Sequence, residues 1–246
     1  MIYLVTGASS GIGYAIAQEL LDQNCSVIGV SRHINPKITL LMQNHPKTYR
    51  HEIRDLSVEI DLLSEWVRNL SSTHGKFAGL VHSAGIQQIL PLRSINYDTM
   101  LNVFNINVFA ALSLAKGIAD RRSNIGEGTS IVFLSSIAST TGSSGIITYS
   151  ASKAALNGAM RSMSRELAPQ KIRVNSVLPG FIETEMIEKW KDVYDNEYID
   201  KIREVYPLAL GTPKDVAAMV IFLLTNKSKW ITGCEFNVSG GATLGI

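Results

Sequence analysis

Short apolar runs separated by longer amphipathic stretches dominate the chain. Residues 2–5, 26–30, 49–52, 79–82, 130–134, 173–178 and 235–238 are strand candidates, several of them apolar at consecutive rather than alternate positions. Such runs belong to parallel strands covered on both faces. Between them, helical spacing predicts helices over 12–22, 59–70, 97–120, 149–167 and 213–224. Thr212 reads as the N-cap of the last helix with Pro213 at its first position, and Pro169 requires the fourth to stop at or before Ala168. The alternation of strand and helix predicts an α/β fold, a doubly wound sheet of about seven parallel strands with helices on both faces. Residues 1–246 contain no linker or repeat and read as a single domain. After Pro179-Gly180 the rhythm breaks, and about 185–210 is expected to form an insertion above the sheet. Its aromatics Trp190, Tyr194, Tyr198 and Tyr206 are open to two readings, pocket lining or helix packing.

Composition narrows the function classes. A chain of 246 residues with 46% hydrophobic residues can bury a large core. The net charge of +2, without a run of Lys or Arg, offers no track for a nucleic-acid backbone. The longest apolar stretches, such as 216–224, read as too short for the roughly 20 residues of a membrane span. Residues 1–5 lack the features of an export signal. Cys25 and Cys234 lie at opposite ends of the chain, and the five histidines have no ligand spacing, so neither a disulfide framework nor a metal is expected. A soluble protein of the reducing cytoplasm is the resulting expectation.

Candidate chemistry starts where the first strand meets the first helix, in Thr6-Gly7-Ala8-Ser9-Ser10-Gly11-Ile12-Gly13. Small residues let this backbone approach a pyrophosphate, and the helix N-terminus stabilises its charge. The second strand ends in Ser31-Arg32 with no acid to hold a ribose diol, which favours NADP(H) and leaves NAD(H) as the alternative. Tyr149 and Lys153 are four apart on one helix face, so an ammonium can lower the pKa of a phenol and make it an acid/base. Just past the fifth strand, Ser136 is placed to orient a substrate carbonyl, with Ser135 as an equal rival.

With these motifs in order, the chain resembles the short-chain dehydrogenase/reductase family along nearly its whole length, with the Rossmann-type fold of that family. The resemblance makes 6–13 the cofactor loop and carries the catalytic serine, tyrosine and lysine onto Ser136, Tyr149 and Lys153. It adds Asp55 and Leu56 at adenine, Ala84 and Gly85 against the cofactor, and Asn107 (rather than nearby Asn105) in support of a proton-relay water. Pro179, Gly180, Ile182 and Thr184 resemble the segment that holds the nicotinamide carboxamide. Where the family has Asn-Asn-Ala-Gly this chain has His82-Ser83-Ala84-Gly85, and His82 is expected to be a buried, hydrogen-bonded strand residue rather than a catalytic one.

Size, Arg32 and the ending Gly240 to Ala242 are similar to 3-oxoacyl-[acyl-carrier-protein] reductases and related carbonyl reductases, although Ala209-Leu210 replaces an arginine common there. The implied reaction is hydride transfer between a nicotinamide and a small-molecule carbonyl or secondary alcohol. Sugar, polyol or steroid alcohol dehydrogenases are the alternative within enzymes, and a non-catalytic NADP(H) binder is the alternative outside them. The helices at 97–120 and 149–167 match those that pair subunits in the family, so a homotetramer, or a homodimer, is expected. Ala110, Ala111, Ala115, Ala155 and Ala159 suit close helix approach, between subunits or within one.

Overall fold

The computed structural model describes residues 1–182 and 201–243. Seven parallel strands form one sheet: β1 (Ile2–Thr6), β2 (Ser26–Ser31), β3 (Tyr49–Ile53), β4 (Phe77–His82), β5 (Ser130–Leu134), β6 (Arg173–Pro179) and β7 (Glu235–Val238). Their order is β3-β2-β1-β4-β5-β6-β7. Strand β1 pairs with β2 on one side and β4 on the other, so the winding reverses beside β1. Ligands of open parallel sheets bind outside the carboxyl ends of the strands at such a reversal.

Successive residues of each strand feed opposite layers. In β1, Tyr3 and Val5 pack with α1 (Gly11–Asp22), α2 (Pro36–Asn44) and a later helix labelled α8 (Pro213–Leu224). Leu4 faces the other way, toward α3 (Leu63–His74), α5 (Ala110–Ala119) and α7 (Ile147–Leu167). This two-sided burial is why the strands read as continuous apolar runs.

Several helix boundaries differ from expectation, each for a local reason. Glu59 is left-handed at φ +48° and residues 60–62 form a 3₁₀ turn, so α3 starts at Leu63 and runs to His74, where Gly75 at φ +105° ends it. The expected helix over 97–120 is two helices, α4 (Tyr97–Phe104) and α5, joined by a π turn over Asn105–Phe109. A π turn carries one extra residue, which 3.6-residue spacing does not reveal. Helix α2 was not expected, although Asn35-Pro36 marks its start: Asn35 Oδ1 accepts the Ile38 N–H at 3.0 Å. The four-residue α6 (Ala138–Thr141) is also additional. Helix α7 stops at Leu167, before Pro169, as required. At α8, the Asp215 carboxylate accepts from both the N–H and the hydroxyl of Thr212.

The span from Tyr97 to Ala119 is long and apolar enough to cross a membrane, contrary to the reading that no stretch approaches that length. More than half of it is buried within the protein, with Leu114 and Ile118 fully covered in the sheet-facing core. The alanines divide by role. Ala110, Ala111 and Ala115 are buried in the core, whereas Ala155 is exposed and Ala159 half-buried on α7.

Candidate active site

One cavity of about 990 Å³ runs along the carboxyl edge of the sheet from β2 to β6. At its centre the loop after β1 opens onto it through Gly7, Ser9, Ser10, Gly11 and Ile12. The backbone here admits no side chains where glycines stand. Gly7 is at φ +68°, and a Cβ on it would lie 2.8 Å from the Ala84 nitrogen. Gly13 does not line the cavity; a Cβ there would lie 2.3 Å from the Gly7 carbonyl oxygen, so its part is to let α1 close against the loop. Helix α1 begins at this wall, and the Ser10 side chain makes no capping bond to it. A helix N-terminus of this kind suits a pyrophosphate.

Thr6 holds the loop to β4. Its Oγ1 accepts the N–H groups of Ser83 and Ala84, each at 3.1 Å, and lies 3.1 Å from His82 Nδ1. His82 is fully buried, and its Nε2 is 3.1 Å from the Ile106 carbonyl oxygen. A carbonyl only accepts, so Nε2 carries the proton and Nδ1 accepts from the Thr6 hydroxyl. Burial, helped by the Lys153 charge, pushes the His82 pKa down to about 3 and keeps the ring neutral. His82 is thus the satisfied strand histidine that its position suggests, tying β1 and β4 to the π turn.

At the far end of the cavity from the sheet's last strand, Ser31, Arg32, His33, Arg54, Asp55 and Leu56 form the wall. Arg32 is exposed and has no carboxylate within salt-bridge distance among the described residues. Asp55 Oδ1 accepts from the Ser57 hydroxyl at 2.6 Å and its N–H at 2.9 Å, and these bonds, with the nearby charges of Arg32 and His33, hold its pKa below the usual range. Sequence reasoning missed His33, Arg54 and Asn35, all of which line this end. Asn35 Nδ2 donates to the Ser9 carbonyl at 2.8 Å, coupling α2 to the loop.

The opposite half holds Ser136, Tyr149 and Lys153 on one wall. Lys153 is 4% exposed and donates to the carbonyl of Leu134, the last residue of β5, at 2.7 Å. Its Nζ lies 5.6 Å from the Tyr149 ring centroid, and burial lowers its pKa to about 8. The two serines separate in structure where they did not in sequence. Ser135 is buried and spends its hydroxyl on the Lys153 carbonyl at 3.2 Å. Ser136 is half-buried and lines the cavity, and its Oγ accepts the Ala138 N–H at 3.1 Å.

Asn107 is fully buried behind this wall instead of lining it. Its Oδ1 accepts the Ile86 N–H at 2.9 Å, and its Nδ2 donates to the Ile86 carbonyl at 3.0 Å and the Ser152 hydroxyl at 2.9 Å. Its side chain therefore holds the segment after Gly85 against α7, a support role not apparent from spacing. Ala84 and Gly85 line the cavity, as do Pro179, Gly180 and Ile182; Thr184 lies outside the described residues.

Comparison with known proteins agrees with this arrangement. Residues 7–243 match the family described as Enoyl-(Acyl carrier protein) reductase. The chain is 34% identical to a 3-oxoacyl-[acyl-carrier-protein] reductase of Aquifex aeolicus, over 98% of this chain and 96% of that one. It is 31% identical, with a TM-score of 0.88, to a short-chain type dehydrogenase/reductase from Mycobacterium ulcerans, covering 99% of this chain and 90% of the other. The chain belongs to the short-chain dehydrogenase/reductase family. A 4-hydroxyisoleucine dehydrogenase complexed with NADH superimposes with a TM-score of 0.90 at 28% identity, covering 100% and 99% of the two chains. This short-chain dehydrogenase/reductase is accordingly an NAD(P)-dependent oxidoreductase acting on CH–OH or carbonyl groups.

Two further parts belong to its site, the first deciding between the two readings open for Tyr206. Tyr206 is 8% exposed, and its hydroxyl accepts the Phe181 N–H at 2.7 Å. A Cβ on Gly180 would lie 2.8 Å from the Tyr206 ring, so the glycine admits the tyrosine, which both packs and lines the cavity. Beyond Tyr149 the described lining is mainly apolar, with Ile86, Ile89, Ile137, Ile146, Phe181 and Val205 interspersed with the uncharged polar Gln87, Thr141, Ser143 and Ser144, and Lys153 is the sole charged group there among the described residues.

Proposed function

We propose that the protein is a cytoplasmic, soluble NADP(H)-dependent carbonyl reductase for an uncharged, largely apolar ketone, a 3-oxoacyl thioester being the first candidate. The observation that carries this reading is the convergence of Tyr149, Lys153 and Ser136 on a wall continuous with the glycine cradle. Ser9 to Ile12 and the N-terminus of α1 would hold the pyrophosphate, Asp55 and Leu56 the adenine, and Pro179, Gly180, Ile182 and Thr184 the nicotinamide end. Ser31 and Arg32 would meet a 2′-phosphate, because no acid at the end of β2 repels one.

The bound dinucleotide supplies the hydride. Tyr149 gives its phenolic proton to the carbonyl oxygen, and Ser136 donates a hydrogen bond to the same oxygen as charge develops there. Lys153, positively charged at neutral pH and pinned to Leu134, stabilises the phenolate left behind and would hold the nicotinamide ribose. Asn107, bonded to Ile86 and Ser152, would act as a positioning residue for the expected proton relay. The expected insertion over about 185–210 lies outside the described residues as far as residue 200, Trp190, Tyr194 and Tyr198 included; in its described part, Tyr206 is bonded to Phe181 and would border the substrate. Exposed Tyr97, Met100, Phe109 and Ile147 on α4, the π turn and α7 support assembly as a homotetramer or homodimer.

The reading is tested by NADPH and NADH oxidation over 3-oxoacyl thioesters, diketones, quinones and keto-sugars. Turnover with NADPH and a 3-oxoacyl thioester supports it. Preference for NAD⁺ and a sugar, polyol or steroid alcohol would replace it with an alcohol dehydrogenase, a reading favoured by the fold's likeness to a protein complexed with NADH.

A further inference from the structure

Behind Ser31 lies a hydrogen-bonded chain that the proposed reaction does not use. The Ser31 hydroxyl is 2.8 Å from the His33 carbonyl oxygen and 2.8 Å from His51 Nε2. His51 Nδ1 is in turn 2.8 Å from the Tyr49 hydroxyl. Residues 49, 51 and 53 of β3 share one face of the sheet, as do 29 and 31 of β2, with Gly29 opposite His51 and Ser31 opposite Ile53. Gly29 makes the chain feasible: a Cβ there would lie 2.4 Å from the Tyr49 hydroxyl. Without a side chain on β2, the phenol crosses the strand and reaches the imidazole.

The direction of every bond in this chain follows from its end. The His33 carbonyl only accepts, so it takes the single Ser31 proton. Ser31 Oγ must then accept from His51, which places the ring proton on Nε2. Nδ1 accepts, and Tyr49 donates. The ring has one proton to distribute, since burial lowers the His51 pKa to about 4.

We propose that His51 is a positioning residue for the 2′-phosphate of NADP(H), acting through Ser31. By donating Nε2–H to Ser31 Oγ, it prevents the serine from turning its own proton inward. That proton stays on the cavity rim beside Arg32, where it can turn from the His33 carbonyl to a phosphate oxygen while the His51 bond persists. Were the imidazole proton on Nδ1, Ser31 would donate to Nε2 and present only lone pairs to the cavity, which would repel a phosphate. The inference rests on the NADP(H) reading and adds to it the residue that sets the serine's polarity.

Dissociation constants for NADPH and NADH, from nucleotide fluorescence, test it in the wild type, Ser31→Ala, His51→Leu, His51→Gln and the Ser31→Ala/His51→Leu double variant. H51L should weaken NADPH about five- to tenfold more than NADH, the effect of one charge-assisted hydrogen bond. H51Q, whose amide N–H can reach Ser31, should recover part of the loss, and the double variant should be no worse than S31A. Equal losses for both nucleotides, or a double-variant loss equal to the product of the single ones, would overturn the inference. Histidine ¹⁵N shifts of the wild type give a check that depends on no variant's folding: an Nε2–H tautomer supports the inference and an Nδ1–H tautomer overturns it. A wild type that binds NADPH no more tightly than NADH overturns the cofactor reading and this inference together. A preference that persists undiminished in H51L overturns this inference alone.

Discussion

Lys153 and Leu134 are joined by a 2.7 Å hydrogen bond from the ammonium to the last carbonyl of β5, so the strand leading to Ser136 and the helix carrying Tyr149 meet at one atom. The cation is held where a phenolate needs it, at the expense of its hydration.

That expense has a sign in pH. The folded-state pKa of Lys153, about 8, lies below the ordinary value of 10.5, so between these values the unfolded chain binds more protons than the folded one. Stability attributable to Lys153 therefore rises as pH increases from about 8 to 10.5, by on the order of 3 kcal/mol. Denaturant unfolding of the wild type and Lys153→Met should show the difference between them shifting in favour of the wild type across this window, while K153M loses activity at every pH. A constant difference would mean that the lysine is not desolvated.

Tyr149→Phe keeps the ring and removes the proton. Turnover should fall by roughly 10² to 10⁴-fold, with dinucleotide affinity within a few-fold of the wild type. Steady-state rates together with fluorescence titration of the cofactor separate these two effects.

The neighbouring serines should respond differently to alanine. Ser136→Ala removes a hydroxyl that lines the cavity and should lower kcat by about 10² to 10³-fold at little change in stability. Ser135→Ala removes a buried bond to the Lys153 carbonyl and should cost about 1 kcal/mol of stability with a smaller effect on kcat. Paired kinetics and urea unfolding check the assignment, and the opposite pattern would exchange the two roles.

His82 and His51 are both held neutral in the folded state, with pKa values of about 3 and about 4 against 6.5. As pH falls below 6.5 the unfolded chain takes up protons that these rings refuse, so their contribution is lost toward acid. Each steepens the fall in stability by up to about 1.4 kcal/mol per pH unit. In His82→Asn the slope between pH 4 and 6 should be shallower than in the wild type by about one such increment, measured by urea unfolding at several pH values.

Period and punctuation in the sequence were enough for the sheet, because its inner strands are buried on both faces and read as apolar runs, while the more polar edge strands β3 and β7 are bounded by turn residues. All seven strands fall where expected, with ends such as Thr6 and Ser31 extended by one residue. The site was legible where chemistry is local: Tyr149 and Lys153 share a helix turn, and Gly7 to Gly13 is one continuous passage from loop into α1. What was not legible depends on distant pairs. Ser135 and Ser136 part company because the Lys153 carbonyl, 18 residues on, claims the first hydroxyl. Asn107 leaves the cavity for Ile86 and Ser152, 21 and 45 residues away. Tyr206 finds Phe181 only through the return of the chain over the sheet.

The π turn over Asn105–Phe109 also rephases the long helix. Downstream, Ala110, Ala111, Leu114, Ala115 and Ile118 all face inward; upstream, α4 buries Val103 alone. One surplus residue thus lets a single rod serve two neighbourhoods, and its carbonyl at Ile106 becomes the seat of His82. In this stretch the number of residues matters as much as their identity. Shortening it by one would rotate α4 by about a quarter turn relative to α5 and detune the wall behind Tyr149.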